Sequence, residues 1–233
     1  MPNDMSLISF DYDLQSLKII PPLSFLIYGS YQIIRLYLNK TNNLFRSLPE
    51  HKKMYVIKNL IKSVMLAILC GACIPTIIIP ALFYNAWSNY WCHKLGILYT
   101  INDTMGLILV KNLPSSTKYH HQITTLLCAI SLGVDFQTSQ LGQMLFVYTL
   151  ASSGAYLVNY YLGSRFLYRR GSQKNIKLYS RNIYIVACCI NWGWHLFWLM
   201  NNYSIIQIQH IIYFFSLILI VKDDLILMNW LSK

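Results

Sequence analysis

The sequence predicts an all-α integral membrane protein of about seven transmembrane helices, with the amino terminus outside or lumenal and the carboxyl terminus cytosolic. Three observations carry the prediction. The 233 residues are 55% hydrophobic and 15% aromatic, with a mean hydropathy of +0.41. Only 12% are charged, where a soluble domain of this size carries about 25%. Finally, 17 of the 19 Lys and Arg fall in alternate connections between apolar runs, as the positive-inside rule requires.

A spanning helix needs about 20 mostly apolar residues to cross a hydrocarbon core roughly 30 Å thick. The first run is Ile19–Leu38, entered through Pro21 and Pro22, whose missing N–H groups cost nothing in a helix's first turn. The second, Ser63–Trp87, holds Pro75 and Pro80, which membrane helices tolerate as kinks. Then follow Leu95–Val110, Tyr119–Val134, Leu141–Leu162, Ile183–Met200 and Ile205–Val221. The third and fourth are short, at about 16 residues, so their ends extend or the helices tilt. Met1–Asp13 carries three Asp and no base, unlike a Lys/Arg-led signal peptide.

The bases set the orientation. Arg35, Lys40, Arg46, Lys52, Lys53, Lys58 and Lys62 follow the first run, and Lys111 and Lys118 the third. Arg165, Arg169, Arg170, Lys174, Lys177 and Arg181 follow the fifth, and Lys222 and Lys233 the seventh. Lys18 and Lys94 fall on the opposite side. Glu50–Lys62 reads either as a short amphipathic helix on the cytosolic face, with Met54, Ile57 and Ile61 opposite Lys58 and Lys62, or as a solvated basic connection. The net charge of +11 therefore points to membrane-surface placement and not to nucleic acid. The six Cys lie in or beside apolar runs without a CxxC…CxxC pattern, which reads as buried inert thiols and not as a zinc site or a disulfide framework.

Ionisable groups inside spans are costly to bury, so each is a functional candidate. Asp103 lies within the third run and requires a partner, a proton or a wet cavity. His120 and His121 open the fourth run. An imidazole there can move a proton or act as a nucleophile when a carboxylate orients it. Measured from the cytosolic end of its run, Asp103 lies about 12 Å deep, so contact with His121 requires the histidine helix to begin deeper than Tyr119. His195 and Asn191 share one helical face four residues apart, and Asn159 is a further inward candidate. His93 and His210 read as interfacial or peripheral. Trp87, Tyr90, Trp91, Tyr168, Trp198 and Trp230 read as an interfacial aromatic belt. GxSxG, Walker, HExxH and dinucleotide motifs are absent.

The stretch from Leu98-Tyr99-Thr100-Ile101-Asn102-Asp103-Thr104 to Lys118-Tyr119-His120-His121-Gln122-Ile123-Thr124 resembles the TLC domain. That family contains ceramide synthases, translocating-chain-associating membrane proteins and related membrane-lipid regulators. The upstream Lys58-Asn59-Leu60-Ile61-Lys62-Ser63-Val64-Met65-Leu66-Ala67 is similar to the family's entry into its first domain span, with Met65 where many members have His. The resemblance covers residues 50–230. It implies an N-terminal segment 1–49 with the first helix, a six-helix TLC-like domain over 50–233, and an endoplasmic-reticulum membrane.

It also implies that His120 and His121 match the paired His that ceramide synthases use for acyl transfer. The acids those enzymes carry in the next span are missing from Tyr148–Tyr156. The first functional expectation is therefore a multi-pass protein that binds, senses or handles membrane lipids. Its cavity would be lined by Asp103, His121, Asn159, Asn191 and His195, with the lipid bilayer as partner and no cofactor, metal or nucleic acid. The alternative is an N-acyltransferase joining acyl-CoA, as substrate, to a sphingoid base, with His120, His121 and Asp103 as catalytic residues. A proton-coupled transporter lacks the expected inverted repeat. The abundance of Ile, Asn, Lys and Tyr fits an AT-rich genome, a large virus included, in which case the membrane is the host's.

Overall fold

In the computed structural model, which describes residues 13–169 and 171–233, every apolar run lies on a helix, and no strand occurs among the described residues. The acidic segment 1–12 and Arg170 lie outside the described residues. A short α1 (Leu14–Leu17) leads into α2 (Ile20–Thr41). Asn42 then caps the single turn α3 (Asn43–Arg46) by accepting from the Phe45 N–H at 2.8 Å.

Helix α4 (Glu50–Cys73) begins after the extended Pro49, with Glu50 in its first turn, where the helix dipole favours a carboxylate. It corrects the reading of residues 50–62 as a separate surface helix or connection: the backbone is helical from Glu50 without a break, and Lys58 and Lys62 are 3% and 5% exposed. Pro75 cannot donate to the helical ladder. The chain passes it in a π-helical turn (Ile74–Ile78), the Thr76 hydroxyl donates to the Ala72 carbonyl at 2.6 Å, and α5 (Ile79–Tyr84) completes the stretch.

Next come α6 (Asn89–Leu109), capped by Ser88, and α7 (Ser115–Ser131). The fifth run breaks at Gly154–Ala155 into α8 (Gln140–Ser153) and α9 (Tyr156–Ser164), bent by 43°. The break lies where the position of a Cβ on Gly154 would be 3.0 Å from the Ala187 Cβ of the following helix. That helix, α10 (Lys174–Asn202), is followed by α11 (Ile208–Ser232), which starts on a reciprocal Gln207–His210 cap.

Among the described residues, two helical stretches are long and apolar enough to cross a membrane: Glu50–Tyr84, of 35 residues, and Lys174–Ile205, of 32. The bent α8–α9 pair is a third if it forms one span. Large apolar side chains cover the outer surfaces of several helices: Phe25 on α2, Ile108 on α6, Phe197 on α10 and Phe215 on α11 are all more than 60% exposed.

The main apolar core fills one half of the bundle, with Leu66, Leu69, Cys92, Leu95, Met144, Tyr213 and Ile220 in mutual contact. Helix α2 packs on α4 and α6 through a second cluster, Ile27, Tyr31, Ile57 and Ile101. Two sequence expectations change here. His93 and His210 are both 5% exposed, not peripheral: His93 bridges Asp13 (3.0 Å) and the Val134 carbonyl (3.2 Å), and His210 stacks on Trp198. Trp198 itself is 9% exposed and belongs to the core, not to a surface belt. Each imidazole is tolerated inside because it has a hydrogen-bonding or stacking partner there.

The end of the bundle beside Asp13 is tied by side chains. Asp135 accepts from Asn89 (2.8 Å), Thr138 (2.8 Å) and the Gln137 N–H (3.1 Å), while Gln137 joins the Trp87 N–H and the Asn85 carbonyl. These bonds hold the Asp135 carboxyl below the usual carboxylate range, the Asn89 amide contributing most.

A buried ionisable cluster beside a cavity

Helix α6 ends at Leu109 and α7 begins at Ser115, so Asp103 and His121 each lie six residues from the connecting loop. At 1.5 Å per residue both are about 9 Å from it, on antiparallel neighbours, and hence level. The start of α7 at Ser115, four residues before the expected Tyr119, is what lets them meet: His121 Nδ1 is 3.4 Å from Asp103 Oδ2.

Two lysines from α4 complete the cluster. Lys62 Nζ lies 2.7 Å from Asp103 Oδ2, donates also to the Tyr99 carbonyl, and sits 4.2 Å from the centroid of the Tyr99 ring. Lys58 Nζ lies 2.7 Å from His121 Nε2 and 4.0 Å from Asp103 Oδ1. Their spacing of four positions places both lysines on one face of α4. Gly106 makes room for Lys58, whose Cε would be 2.9 Å from a Cβ there. Asn102 donates to the Lys58 carbonyl and accepts from Tyr31, which fixes α2, α4 and α6 together at this depth.

The electrostatics follow from counting. One carboxylate faces two lysines, and all three side chains are at most 6% exposed. The tautomer of His121 that fits keeps its proton on Nδ1, toward Asp103, and accepts from Lys58 on Nε2. Nε2 is thereby hydrogen-bonded, while Nδ1 faces the carboxylate without a hydrogen bond.

His120 faces the other way, toward α8 and α11. Its Nδ1 lies 3.1 Å from Asp223 Oδ2 and its Nε2 lies 3.3 Å from the Tyr148 hydroxyl, which in turn meets the Tyr99 hydroxyl at 3.2 Å. Both histidine–carboxylate contacts are close in distance but bent away from hydrogen-bond alignment. Asp224, beside Asp223, accepts from the Tyr184 hydroxyl at 2.7 Å. A His with a carboxylate on Nδ1 and a hydroxyl on Nε2 has the partners of a general base.

The cluster borders a cavity of about 310 Å³. Its polar wall is Lys58, Lys62, Asp103, His120, His121, Asp223 and Asp224, and Leu66, Ala151, Val158, Leu162 and Leu227 supply apolar wall. Arg165 and Trp230 line it near the ends of α9 and α11. The Arg165 guanidinium lies 4.5 Å from the Trp230 ring, 4.7 Å from Phe166 and 5.9 Å from Tyr55, so Trp230, 38% exposed near the end of α11, packs this cation.

Of the residues singled out from sequence, Asp103, His120, His121, Asn159 and Asn191 all line this cavity. His195 does not. It is 2% exposed in the neighbouring apolar core, its Nδ1 donating to the Asn191 carbonyl and its Nε2 accepting from Tyr213, both at 2.7 Å. A His four residues from Asn191 shares its helical face, but here the ring points to α11 and the i−4 carbonyl satisfies it.

Lys58, Lys62, Tyr148, Arg165, Asp223 and Asp224 were not among the sequence candidates. The available signals were two bases four apart within an apolar stretch, and two of only eight acids following the last apolar run. Among the described residues no group of three or more His, Cys, Asp or Glu is arranged to hold a metal. Comparison with protein-family models, with curated proteins and with solved structures returned no match.

Proposed function

We propose that this chain is a seven-span membrane protein of TLC-like architecture that takes a membrane lipid into the cavity between α4 and α6–α11. The observation that carries the reading is the cavity itself: apolar walls on one side, a buried ionisable cluster on the other, within a bundle whose outside is apolar. A lipid is the ligand that matches both halves, its chain against Leu66, Val158 and Leu227 and its polar end against the cluster. Alternation of the basic connections supports an outside or lumenal amino terminus and a cytosolic carboxyl terminus, and the family resemblance supports the endoplasmic reticulum.

Untargeted lipid mass spectrometry tests this on protein purified in mild detergent and on cells expressing wild type or the His120→Ala/His121→Ala variant. Lipid that co-purifies with the protein, and cellular lipid composition that changes on expression, are the expected results. Protein that carries no lipid and leaves cellular lipids unchanged would overturn it.

One specific observation favours a second reading, acyl transfer from acyl-CoA to a sphingoid amine. The synthase acids missing after Tyr148 have a counterpart on a different helix, where Asp223 of α11 stands 3.1 Å from His120. In this reading Asp223 orients His120, which serves as base or acyl acceptor, and the cluster around Asp103 holds the adjoining wall. A new N-acylated sphingoid species that disappears in His120→Ala would support it. The same product made by that variant would sink it.

A further inference from the structure

We infer that the cavity receives the headgroup of an amine-bearing phospholipid, with the phosphate on Arg165 and the ammonium beside Asp223 and Asp224. This deepens the lipid reading above and rests on it. The cations of the cavity are unequal. Lys62 is taken by Asp103 and the Tyr99 carbonyl, and Lys58 by His121. Arg165 makes no ion pair among the described residues, and its Nε is buried without a hydrogen-bond partner. Its neighbours are rings, which hold the guanidinium plane without consuming its N–H donors. A planar, unpaired guanidinium lining a cavity is suited to bidentate recognition of a phosphate.

The acids are unequal in the opposite sense. Asp223 has the bent contact to His120 and lies beside the Ser116 hydroxyl, and Asp224 accepts from the Tyr184 phenol and lies beside the Trp192 indole; among the described residues neither meets a lysine or arginine within ion-pair distance. Asn191, 3% exposed and lining the same cavity, has an Oδ1 with no donor. Carboxylates without a lysine or arginine partner and an amide oxygen without a donor call for a ligand that brings several N–H bonds, which a primary ammonium does and a quaternary one does not.

Spacing joins the two ends. Trp230, against which Arg165 packs, lies seven residues beyond Asp223 on α11, or about 10 Å along the helix. A phosphate and an ammonium separated by two carbons, with a hydrogen bond of about 2.8 Å at each end, bridge such a gap. The apolar wall at Val158, Leu162 and Leu227 would take the start of the acyl chains.

The test incubates detergent-purified protein with equal amounts of phosphatidylethanolamine, phosphatidylcholine and phosphatidylglycerol, then re-purifies it and measures retained lipid by mass spectrometry. Phosphatidylethanolamine should be retained at least fivefold over the other two. Arg165→Gln should cut total retained phospholipid about tenfold, Arg165→Lys should restore part of it, and Asp224→Asn should remove the preference while leaving retention. Arg181→Gln, half-buried and outside the cavity, should match wild type.

Equal retention of the three lipids, unaffected by Arg165→Gln, would overturn the inference and leave the lipid reading standing; no retained lipid at all would overturn both. A parallel arm adds glycerophosphoethanolamine or inorganic phosphate to lipid-free protein and follows tryptophan fluorescence, since Trp230 lines the site. A response to the soluble phosphoamine in protein that retains no lipid would keep the chemistry of the site and overturn a lipid as its source.

Discussion

His120 and His121 are neighbours in sequence with different tasks in space. His121 is held between Lys58 and Asp103, and His120 is the one turned toward Asp223 and Tyr148. Replacing His121 by Ala leaves Lys58 buried without its close partner, a loss of about 1–3 kcal/mol. At 2–4 °C per kcal/mol for a chain of this size, the thermal midpoint in detergent should fall by roughly 5 °C. His120→Ala should move the midpoint by less than half as much while changing lipid retention or product. Equal thermal effects of the two substitutions would contradict this division. Asp103→Asn strands two buried ammonium groups, and breaking a buried pair in this way costs about 3–5 kcal/mol. Asp103→Leu with Lys62→Met removes the closer pair and should recover part of that loss in the same melt, the remainder being Lys58, which stays buried without a carboxylate.

Among the elements, α4 is the axis of the molecule, touching α2, α6, α8 and α9. Its closest neighbour is α9, where a Cβ on Gly163 would come within 2.9 Å of the Leu60 Cγ and 3.0 Å of the Val56 carbonyl. Gly163→Ala should therefore push α9 off α4 and cost about 1–3 kcal/mol by overpacking, readable as a lowered thermal midpoint; Gly29→Ala, with open space around it, should not.

At the opposite end, Asp13 and Asp135 tie loops to α6. The Asp13 carboxyl is lowered to about 2, first by the Ser16 hydroxyl and further by His93, and that of Asp135 is lowered by Asn89. A carboxylate depressed in the folded state stabilises above its unfolded value near 4 and loses that contribution as pH falls through the folded value. The thermal midpoint should hold steady from neutral pH down to about 5 and drop between about 4 and 2. Asp13→Asn with Asp135→Asn should flatten that drop.

For the whole molecule, the apolar core fills one half and the ionisable cavity lies toward the half rich in lysine and arginine, where Arg165, Lys174 and Lys177 stand at helix ends or beyond them. In the proposed topology that half faces the cytosol, so a polar headgroup enters from the leaflet beside it. An odd number of spans puts the two termini on opposite sides. Epitope tags at each end, probed in selectively permeabilised cells, should show the carboxyl terminus accessible from the cytosol and the amino terminus protected. Both termini on one side would require an even count and would remove the seven-span arrangement.

The helical class and the positions of the apolar runs were legible in the sequence because a 20-residue apolar run is a local property, set by composition over a few turns. Asp103, His120, His121, Asn159 and Asn191 could be singled out for the same reason, as polar residues conspicuous against apolar neighbours. The partners could not be read in this way. Lys58 and Lys62 looked like solvated bases at the foot of a span, and whether a lysine lies in water or beneath a neighbouring helix depends on the neighbour. Asp223 reaches His120 across 103 positions of chain, and His195 turns to Tyr213 instead of the cavity because α11 packs there. Local composition is enough to say which segments are helical and which polar groups need partners. Which partners they find depends on helix depth, rotation and contact, and these are set by packing between segments far apart in the chain.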